Sequence, residues 1–175
     1  MSKKNTKDIG WNITNFKITL RRRNTIMEIQ VRLWKMEVIR IKVLIVDDDP
    51  DLLKLCSSSF NLLGLNVVGT ASNGIEALEI LTNSITKPDV IVIDYHMPKI
   101  NGIETSQMIF KIDKSYKIIM ISADSSIKNR ALSNGIHEFI EKPFKLQKLA
   151  EKINQVARNW FIMNYIKWND SLINH

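Results

Sequence analysis

Between residues 42 and 158, short apolar runs alternate with longer segments that have the periodicity of a helix. The runs are rich in β-branched residues, and loop-forming or polar residues follow each of them. They lie at 43–46, about 66–71, 90–94, 118–121 and 139–140. This length and composition are typical of strands that are buried on both faces, as in a parallel sheet.

The segments between these runs repeat apolar residues at spacings of three and four, which predicts helices with one buried face. In the first of them Asp49 is placed to cap a helix that has Pro50 in its first turn, and Gly64 is placed to end it. Further helices are predicted from about 74 to 81, from 102 to about 112, around 127–131 and from 146 to 160. Five strand-helix units with right-handed crossovers predict an α/β fold, with a doubly wound parallel sheet of five strands in a three-layer α/β/α arrangement.

Residues 1–41 and 159–175 do not continue this pattern. Apolar residues alternate with polar ones from Met27 to Leu33, which predicts a strand or part of a hairpin. Because so short a sheet is marginal in water, we expect 1–41 to be a basic extension that is poorly ordered or docked. Residues 159–175 read as an aromatic-rich extension of the last helix, which would pack on the N-terminal segment or form a partner or homodimer surface.

The net charge of +7 is concentrated at the N-terminus. Residues 1–41 carry ten Lys and Arg against three Asp and Glu, and the rest of the chain is balanced. The basic run 21–23 therefore raises the hypothesis of a nucleic-acid-binding regulator. No recognition-helix motif accompanies it, so binding to DNA is not expected.

Cysteine, histidine and apolar content exclude several other classes. The single Cys56 excludes an intramolecular disulfide, and three scattered histidines without a second cysteine leave no zinc-type ligand set. Neither an apolar run of spanning length nor a signal-peptide core is present, so we expect no membrane partner. These features together favour a cytoplasmic protein.

Polar side chains follow the predicted strands at the edge where parallel sheets bind ligands. Asp47, Asp48, Asp94, Ser122 and Lys142 should converge there. Clustered carboxylates raise one another's pKa unless a cation compensates them, and a set of oxygen ligands suits Mg²⁺. Asp94 beside Mg²⁺ is a candidate nucleophile for a phosphoryl group, with Lys142 neutralising the transferred charge and the Ser122 hydroxyl binding a phosphoryl oxygen.

These motifs resemble the signature of the receiver domain of two-component response regulators, of the chemotaxis-regulator type. The matching pieces are Val46-Asp47-Asp48, Asp94 with Met97-Pro98 and Gly102, Ser122-Ala123, and Lys142-Pro143-Phe144. Each motif alone is weak evidence for the family, but all of them in this order are a specific signature. The resemblance covers roughly residues 42–158 and implies a flavodoxin-like strand order of 2-1-3-4-5.

The resemblance also implies roles for individual residues at the phosphorylation site. Asp94 would accept the phosphoryl group, and Lys142 would bridge to it. Asp48 would bind Mg²⁺ directly, Asp47 would hold the ion mainly through water, and the backbone carbonyl of His96 would be a further ligand.

The same resemblance assigns a switch to the output side of the domain. Ser122 would be the switch hydroxyl and Phe139 the switch aromatic, which turns inward when Ser122 moves. The segment between Ser122 and Lys142 is shorter than is common in the family. We therefore expect the fourth helix to be short or displaced.

The function expected from the sequence is phosphorelay signal transduction by a stand-alone receiver. It would take phosphate from a sensor histidine kinase or phosphotransfer protein and signal to a downstream protein target. It would not be an enzyme beyond its own phosphotransfer and autodephosphorylation. The alternative from the enzyme class is a Mg²⁺-dependent phosphohydrolase with an aspartate nucleophile. That class usually has a second acid two residues after the nucleophile, where this chain has His96.

Overall fold

The structure, a computed structural model, describes the backbone of residues 17–22, 25–30 and 40–173 and the side chains of residues 40–159. Backbone contacts divide the chain into two units, Met1–Ile39 and Arg40–His175. The described strands are β1 (Lys17–Arg22), β2 (Thr25–Gln30), β3 (Ile41–Val46), β4 (Leu65–Ala71), β5 (Val90–Asp94), β6 (Ile118–Ser122) and β7 (Glu138–Glu141). The described helices are α1 (Pro50–Leu62), α2 (Gly74–Asn83), α3 (Gly102–Ile112), α4 (Lys128–Ser133) and α5 (Leu146–Ile173).

In the first unit β1 and β2 form an antiparallel pair. Their register runs from Lys17 opposite Gln30 to Arg22 opposite Thr25. The strand predicted from alternation is thus confirmed as far as Gln30. Val31, Leu33 and Arg23, which also entered the sequence predictions, lie outside the described residues.

The second unit contains a five-stranded sheet in which every neighbouring pair is parallel. Its order is β4-β3-β5-β6-β7, which counted within this unit is 2-1-3-4-5. The predicted fold class and strand order are therefore confirmed. The strand predicted from about residue 66 begins one residue earlier, at Leu65.

The central strands are apolar on both faces because helices cover both faces of the sheet. On one side Leu44, Val46, Ile91 and Ile93 join a buried cluster with residues of α2, α3 and α4. On the other side Val43, Ile45, Val90 and Val92 join a second cluster with residues of α1 and α5. Alternate residues of one strand thus supply two separate cores, as the three-layer prediction requires.

Helix starts follow the capping signals in the sequence. The Asp49 carboxylate accepts the backbone N–H of Asp51 at 2.9 Å and that of Leu52 at 3.3 Å, which caps α1 as predicted. At α3, Asn101 and Glu104 form a reciprocal capping box. Both caps fix the direction in which a loop leaves the sheet edge.

The expected short fourth helix is present. A 3₁₀ turn over Ser125–Ile127 leads into α4, which has six residues. Helix α5 runs to Ile173, so its backbone includes most of the predicted aromatic-rich extension. The side chains of that extension lie outside the described residues. Among the described helices, none combines the length and the hydropathy needed to cross a membrane.

Gly102 brings the first turn of α3 against the backbone of Asp94. Its N–H donates to the carbonyl of Tyr95 at 2.9 Å, and a Cβ at this position would stand 2.4 Å from the carbonyl oxygen of Asp94. No side chain fits at that distance, so the contact requires glycine. Gly102, which the sequence places at the start of the third predicted helix of the sheet domain, is therefore also the point where α3 lies against the end of β5.

We expect Gly102→Ala to lower the free energy of unfolding by about 1–3 kcal/mol, because the added methyl group forces α3 away from Asp94. Denaturant unfolding measures the loss, and the amide NMR signals of Asp94 and Tyr95 should shift with it. Gly64→Ala is the control, since a Cβ there meets nothing within 4 Å and only the φ of +79° is unfavourable. If Gly102→Ala is as stable as the wild type and leaves the Asp94 signals unmoved, this close approach is described wrongly.

Candidate functional site

Two carboxylates and one ammonium group meet at the carboxyl-terminal edge of the sheet. Asp47 follows β3 and is 1% exposed, and Asp94 is the last residue of β5 and is 4% exposed. Lys142 follows β7, and its Nζ lies 2.9 Å from Asp47 Oδ2 and 2.7 Å from Asp94 Oδ1. Three residues from three strands, predicted to converge, are thus in direct contact.

Backbone amides fix the two carboxylates in place. Asp47 Oδ1 accepts the N–H of Asp49 at 2.9 Å, and the N–H of Asp47 itself donates to the carbonyl of Ala71 in β4 at 3.0 Å. The backbone N–H of His96 lies close enough to the Asp94 carboxylate to lower its pKa slightly, against the effect of burial. The Asp47 carboxylate therefore has a hydrogen-bonded backbone donor besides Lys142, and Asp94 has a backbone N–H nearby.

The charges of this site are coupled. Burial raises the pKa of Asp94, against the opposing effect of the hydrogen bond from Lys142, and the nearby Asp47 raises it further. Burial by itself lowers the pKa of Lys142, but hydrogen bonds to Asp94 and Asp47 outweigh it, so that pKa is raised. The ammonium group is thus held protonated, while the charged form of Asp94 is disfavoured.

Asp48 does not join this contact. Its side chain is exposed and has no hydrogen-bond or ion-pair partner within the part of the chain that the structure describes. Over the same residues no group of three or more His, Cys, Asp and Glu side chains is arranged to hold a metal ion. The expected gathering of three carboxylates is therefore met for Asp47 and Asp94 only. The physical reason is that one ammonium compensates two buried carboxylates poorly and would leave a third uncompensated.

Ser122 is connected to the site by a backbone hydrogen bond. It is fully buried at the end of β6, and its carbonyl accepts the N–H of Lys142 at 2.8 Å. Its Oγ accepts the N–H of Asp124 at 3.0 Å, which closes a turn before the 3₁₀ segment. Asp124 was not among the predicted site residues, although an acid two residues after a serine at a strand end signals such a turn.

The other predicted site residues lie around this centre. Phe139, the expected switch aromatic, is only 7% exposed and belongs to the core cluster beside α4, so its side chain is already buried. The His96 side chain is exposed and its ring meets that of Tyr95 edge-on, with centroids 4.6 Å apart. His96 thus faces Asp94 with its backbone and not with its imidazole.

Cys56 lies behind the site in α1. It is buried, as expected of a small core residue, and burial raises the pKa of its thiol to about 11. Such a thiol stays protonated at neutral pH and is a poor nucleophile. The chemistry of the site therefore rests on its oxygen and nitrogen groups.

A family model for the response regulator receiver domain matches residues 43–154, which include Asp47, Asp94, Ser122 and Lys142. The chain belongs to the response regulator receiver domain family. The family resemblance inferred from the motifs is thereby confirmed, and with it a place in two-component phosphorelay signalling. Receiver domains act as phosphoacceptors.

The receiver domain makes up different shares of the relatives that it matches. The chemotaxis protein CheY of Thermotoga maritima is 36% identical over 119 residues, which is 67% of this chain and 98% of that protein. The transcriptional regulatory protein PrrA of Mycobacterium leprae is 34% identical over 119 residues, 67% of this chain and 50% of that protein. The receiver thus spans about half the length of such transcriptional regulators.

One solved relative is a complex that contains Mg²⁺ and BeF3. It is a CheX-CheY-BeF3-Mg²⁺ complex from Borrelia burgdorferi, which matches with a TM-score of 0.59 and 32% identity over 69% of this chain and 89% of that one. Mg²⁺ binding therefore occurs within the family.

We expect Asp94→Asn to be more stable than the wild type at neutral pH. An acid whose pKa is raised on folding binds its proton more tightly in the folded state, so its contribution to stability is lost as the pH rises through the folded pKa. Asparagine stays neutral, so the gain should vanish at pH values below the ordinary aspartate pKa of about 3.9. Denaturant unfolding of both proteins from pH 3 to 8 measures it.

Asp113→Asn is the control with the opposite sign. The Ser115 side chain and N–H, with Lys87, lower the pKa of Asp113 to about 2, so its charged form is favoured on folding. Its replacement should destabilise the protein at neutral pH. Equal losses of stability from the two substitutions would contradict the conclusion that burial disfavours the charged form of Asp94.

Proposed function

We propose that Asp94 is the phosphoacceptor of this receiver and takes its phosphoryl group from a sensor histidine kinase or phosphotransfer protein in a Mg²⁺-dependent reaction. The observation that carries the proposal is the Lys142 ammonium, held 2.7 Å from Asp94 and 2.9 Å from Asp47 in a buried cleft. A buried carboxylate next to a fixed cation is suited to accept a phosphoryl group, because the cation neutralises the charge that the group brings.

In this reaction a carboxylate oxygen of Asp94 attacks phosphorus in line with the leaving nitrogen of the phosphohistidine. The new O–P bond forms as the P–N bond breaks, and the imidazole leaves with its electron pair. Lys142 then neutralises charge on the phosphoryl oxygens instead of on the carboxylate. Its attachment to Asp47 keeps it at the site throughout.

The chemistry of the donor groups suits a magnesium ion, although no three such side chains of the described residues stand together around one point in this structure. Asp47, Asp48 and Asp94 carry three negative charges against one positive charge on Lys142, so a divalent cation would balance the set. The donors are oxygen atoms, which Mg²⁺ prefers, and the exposed Asp48 carboxylate is not engaged by any described residue. Asp48 and Asp94, the carbonyl of His96 and, mainly through water, Asp47 would hold the ion. When bound, it supplies charge neutralisation for the phosphoryl oxygens.

Phosphorylation would change the protein-binding face through Ser122 and Phe139. The Ser122 hydroxyl accepts a hydrogen bond from Asp124, and its own proton remains available to donate to a phosphoryl oxygen. A pull on Ser122 would be transmitted along β6 to Phe139, which pairs with Met120 in register. The downstream partner we propose is a protein, since a CheY relative is known in complex with CheX.

The phosphohydrolase alternative has less support from the geometry. It needs a general acid two residues after the nucleophile, and the His96 imidazole at that position is exposed and packs on Tyr95. Nothing within the described side chains favours that reaction over phosphoacceptance.

Incubation with Mg²⁺ and acetyl phosphate should increase the protein mass by one phosphoryl group, in an adduct that is stable to acid and labile to alkali. Intact-mass spectrometry detects it. Asp94→Asn should remain unmodified, and removal of Mg²⁺ by a chelator should abolish the reaction in the wild type.

Asp89→Asn is the matched control. Asp89 immediately precedes β5, at the end opposite Asp94, and accepts the N–H of Lys42 at 2.8 Å. This variant should be phosphorylated as the wild type is. Modification of Asp94→Asn, or an unmodified wild type, would refute the proposal.

A further inference from the structure

The first half of α5 packs on the sheet through one side of the helix. The buried residues of that side are Leu149, Ala150, Ile153 and Ala157. The opposite side of this half is exposed, at positions 147, 148, 151, 155, 158 and 159. This is the ordinary pattern of a helix that covers one face of a sheet.

The side of α5 that packs on the sheet becomes polar in the second half of the helix. Residues three, four and seven apart lie in one row along a helix, and α5 continues without interruption to Ile173. The row of Ile153 and Ala157 passes through Trp160 and then through Asn164, Lys167 and Ser171. Beyond Trp160 this row therefore carries an amide, an ammonium group and a hydroxyl group.

The opposite side becomes apolar over the same residues. The row of the exposed Arg158 continues through Ile162 and Ile166. Asn169 is the polar exception on this side. The row next to it holds four apolar residues at spacings of four, three and four: Phe161, Tyr165, Trp168 and Leu172. The apolar side of residues 161–173 thus continues the side that is exposed in residues 146–159.

This exchange of sides shows that residues 161–173 need a different packing partner from the first half of α5. The sheet lies against one side of the helix, and the apolar side of the second half is the opposite one. A helical segment of this length is marginal in water unless its apolar side is packed. The surface that covers it is therefore not the sheet on which α5 packs.

The charge of the segment distinguishes between possible partners. Residues 160–173 contain one lysine and one aspartate, so their net charge is zero. An anionic lipid surface or a nucleic acid is bound by segments that carry several basic residues. Two copies of a neutral segment, in contrast, approach each other without repulsion.

We propose that residues 161–173 form the interface of a homodimer, in which the apolar side of the segment packs against the same side of a second copy. One self-complementary surface is sufficient for a two-fold dimer. Each copy contributes the rings of Phe161, Tyr165 and Trp168. At the lower end of their usual range, six such rings bury about 900 Å². A stable interface needs about 1,000 Å², which the isoleucines of this side supply.

Sedimentation equilibrium of the full chain tests the dimer. The wild type should have twice the mass of a single chain at high concentration and dissociate on dilution. Ile162→Gln and Ile166→Gln introduce a polar residue of good helix propensity, and each removes an apolar residue from both copies. We expect each variant to weaken dimerisation about a hundredfold or more.

Lys167→Gln is the matched control. It introduces the same residue into the same segment, but on the opposite side of the helix, and should leave the dissociation constant unchanged. Denaturant unfolding of every variant shows whether the sheet and its helices remain intact, since none of these substitutions lies in the buried core.

Amide hydrogen exchange locates the interface. The amides of residues 161–173 should become more protected as the protein concentration rises, in the wild type and in Lys167→Gln. The amides of Ile153 and Ala157, which are buried on the sheet, should stay protected at every concentration.

A wild type that stays monomeric at every concentration, or that forms assemblies larger than two, overturns the proposal. A dimer that persists in Ile162→Gln and Ile166→Gln also overturns it, because another surface then holds the copies together. Equal weakening by Lys167→Gln contradicts the assigned side of the helix. Protection of residues 161–173 that does not depend on concentration shows that the segment packs within its own chain, which overturns the proposal as well.

Discussion

The contact of the Lys142 ammonium with two buried carboxylates is the interaction on which the functional edge of this domain depends. Asp47 and Asp94 are almost fully buried, and two neighbouring negative charges in such surroundings are costly without a cation. Lys142 supplies it at 2.9 and 2.7 Å. Because these residues follow or end β3, β5 and β7, one charge cluster ties together the ends of three strands.

Burial and the charge of Lys142 act in opposite directions on the Asp94 carboxylate. The raised pKa of Asp94 shows that burial outweighs its attraction to Lys142, so the charged carboxylate is held in an unfavourable environment. A phosphoryl group would move the negative charge outward, toward Lys142 and the exposed Asp48. The same imbalance explains why a divalent cation suits a site in which one lysine contacts two buried acids and a third, exposed acid, Asp48, follows Asp47 in the chain.

The side of the domain formed by β7 and α4 is held partly by weaker interactions. Phe139 is buried in the core, whereas Glu138 beside it depends on a partly exposed ion pair with Lys152. Helix α4 has six residues and follows a 3₁₀ turn. Elements joined by a few solvent-accessible contacts open at a lower free energy than packed strands such as β3 and β5.

The sequence by itself determined the fold class, the helix cap at Asp49, and the edge at which the polar residues gather, because periodicity and capping act over a few neighbouring residues. It also pointed to Asp47, Asp94 and Lys142 as one site, since parallel strands end at a common edge. Only the tertiary structure decided that Lys142 contacts both buried acids while Asp48 is exposed, and that Glu138 meets Lys152. These contacts depend on burial and on distances between residues far apart in the chain, which no local pattern encodes.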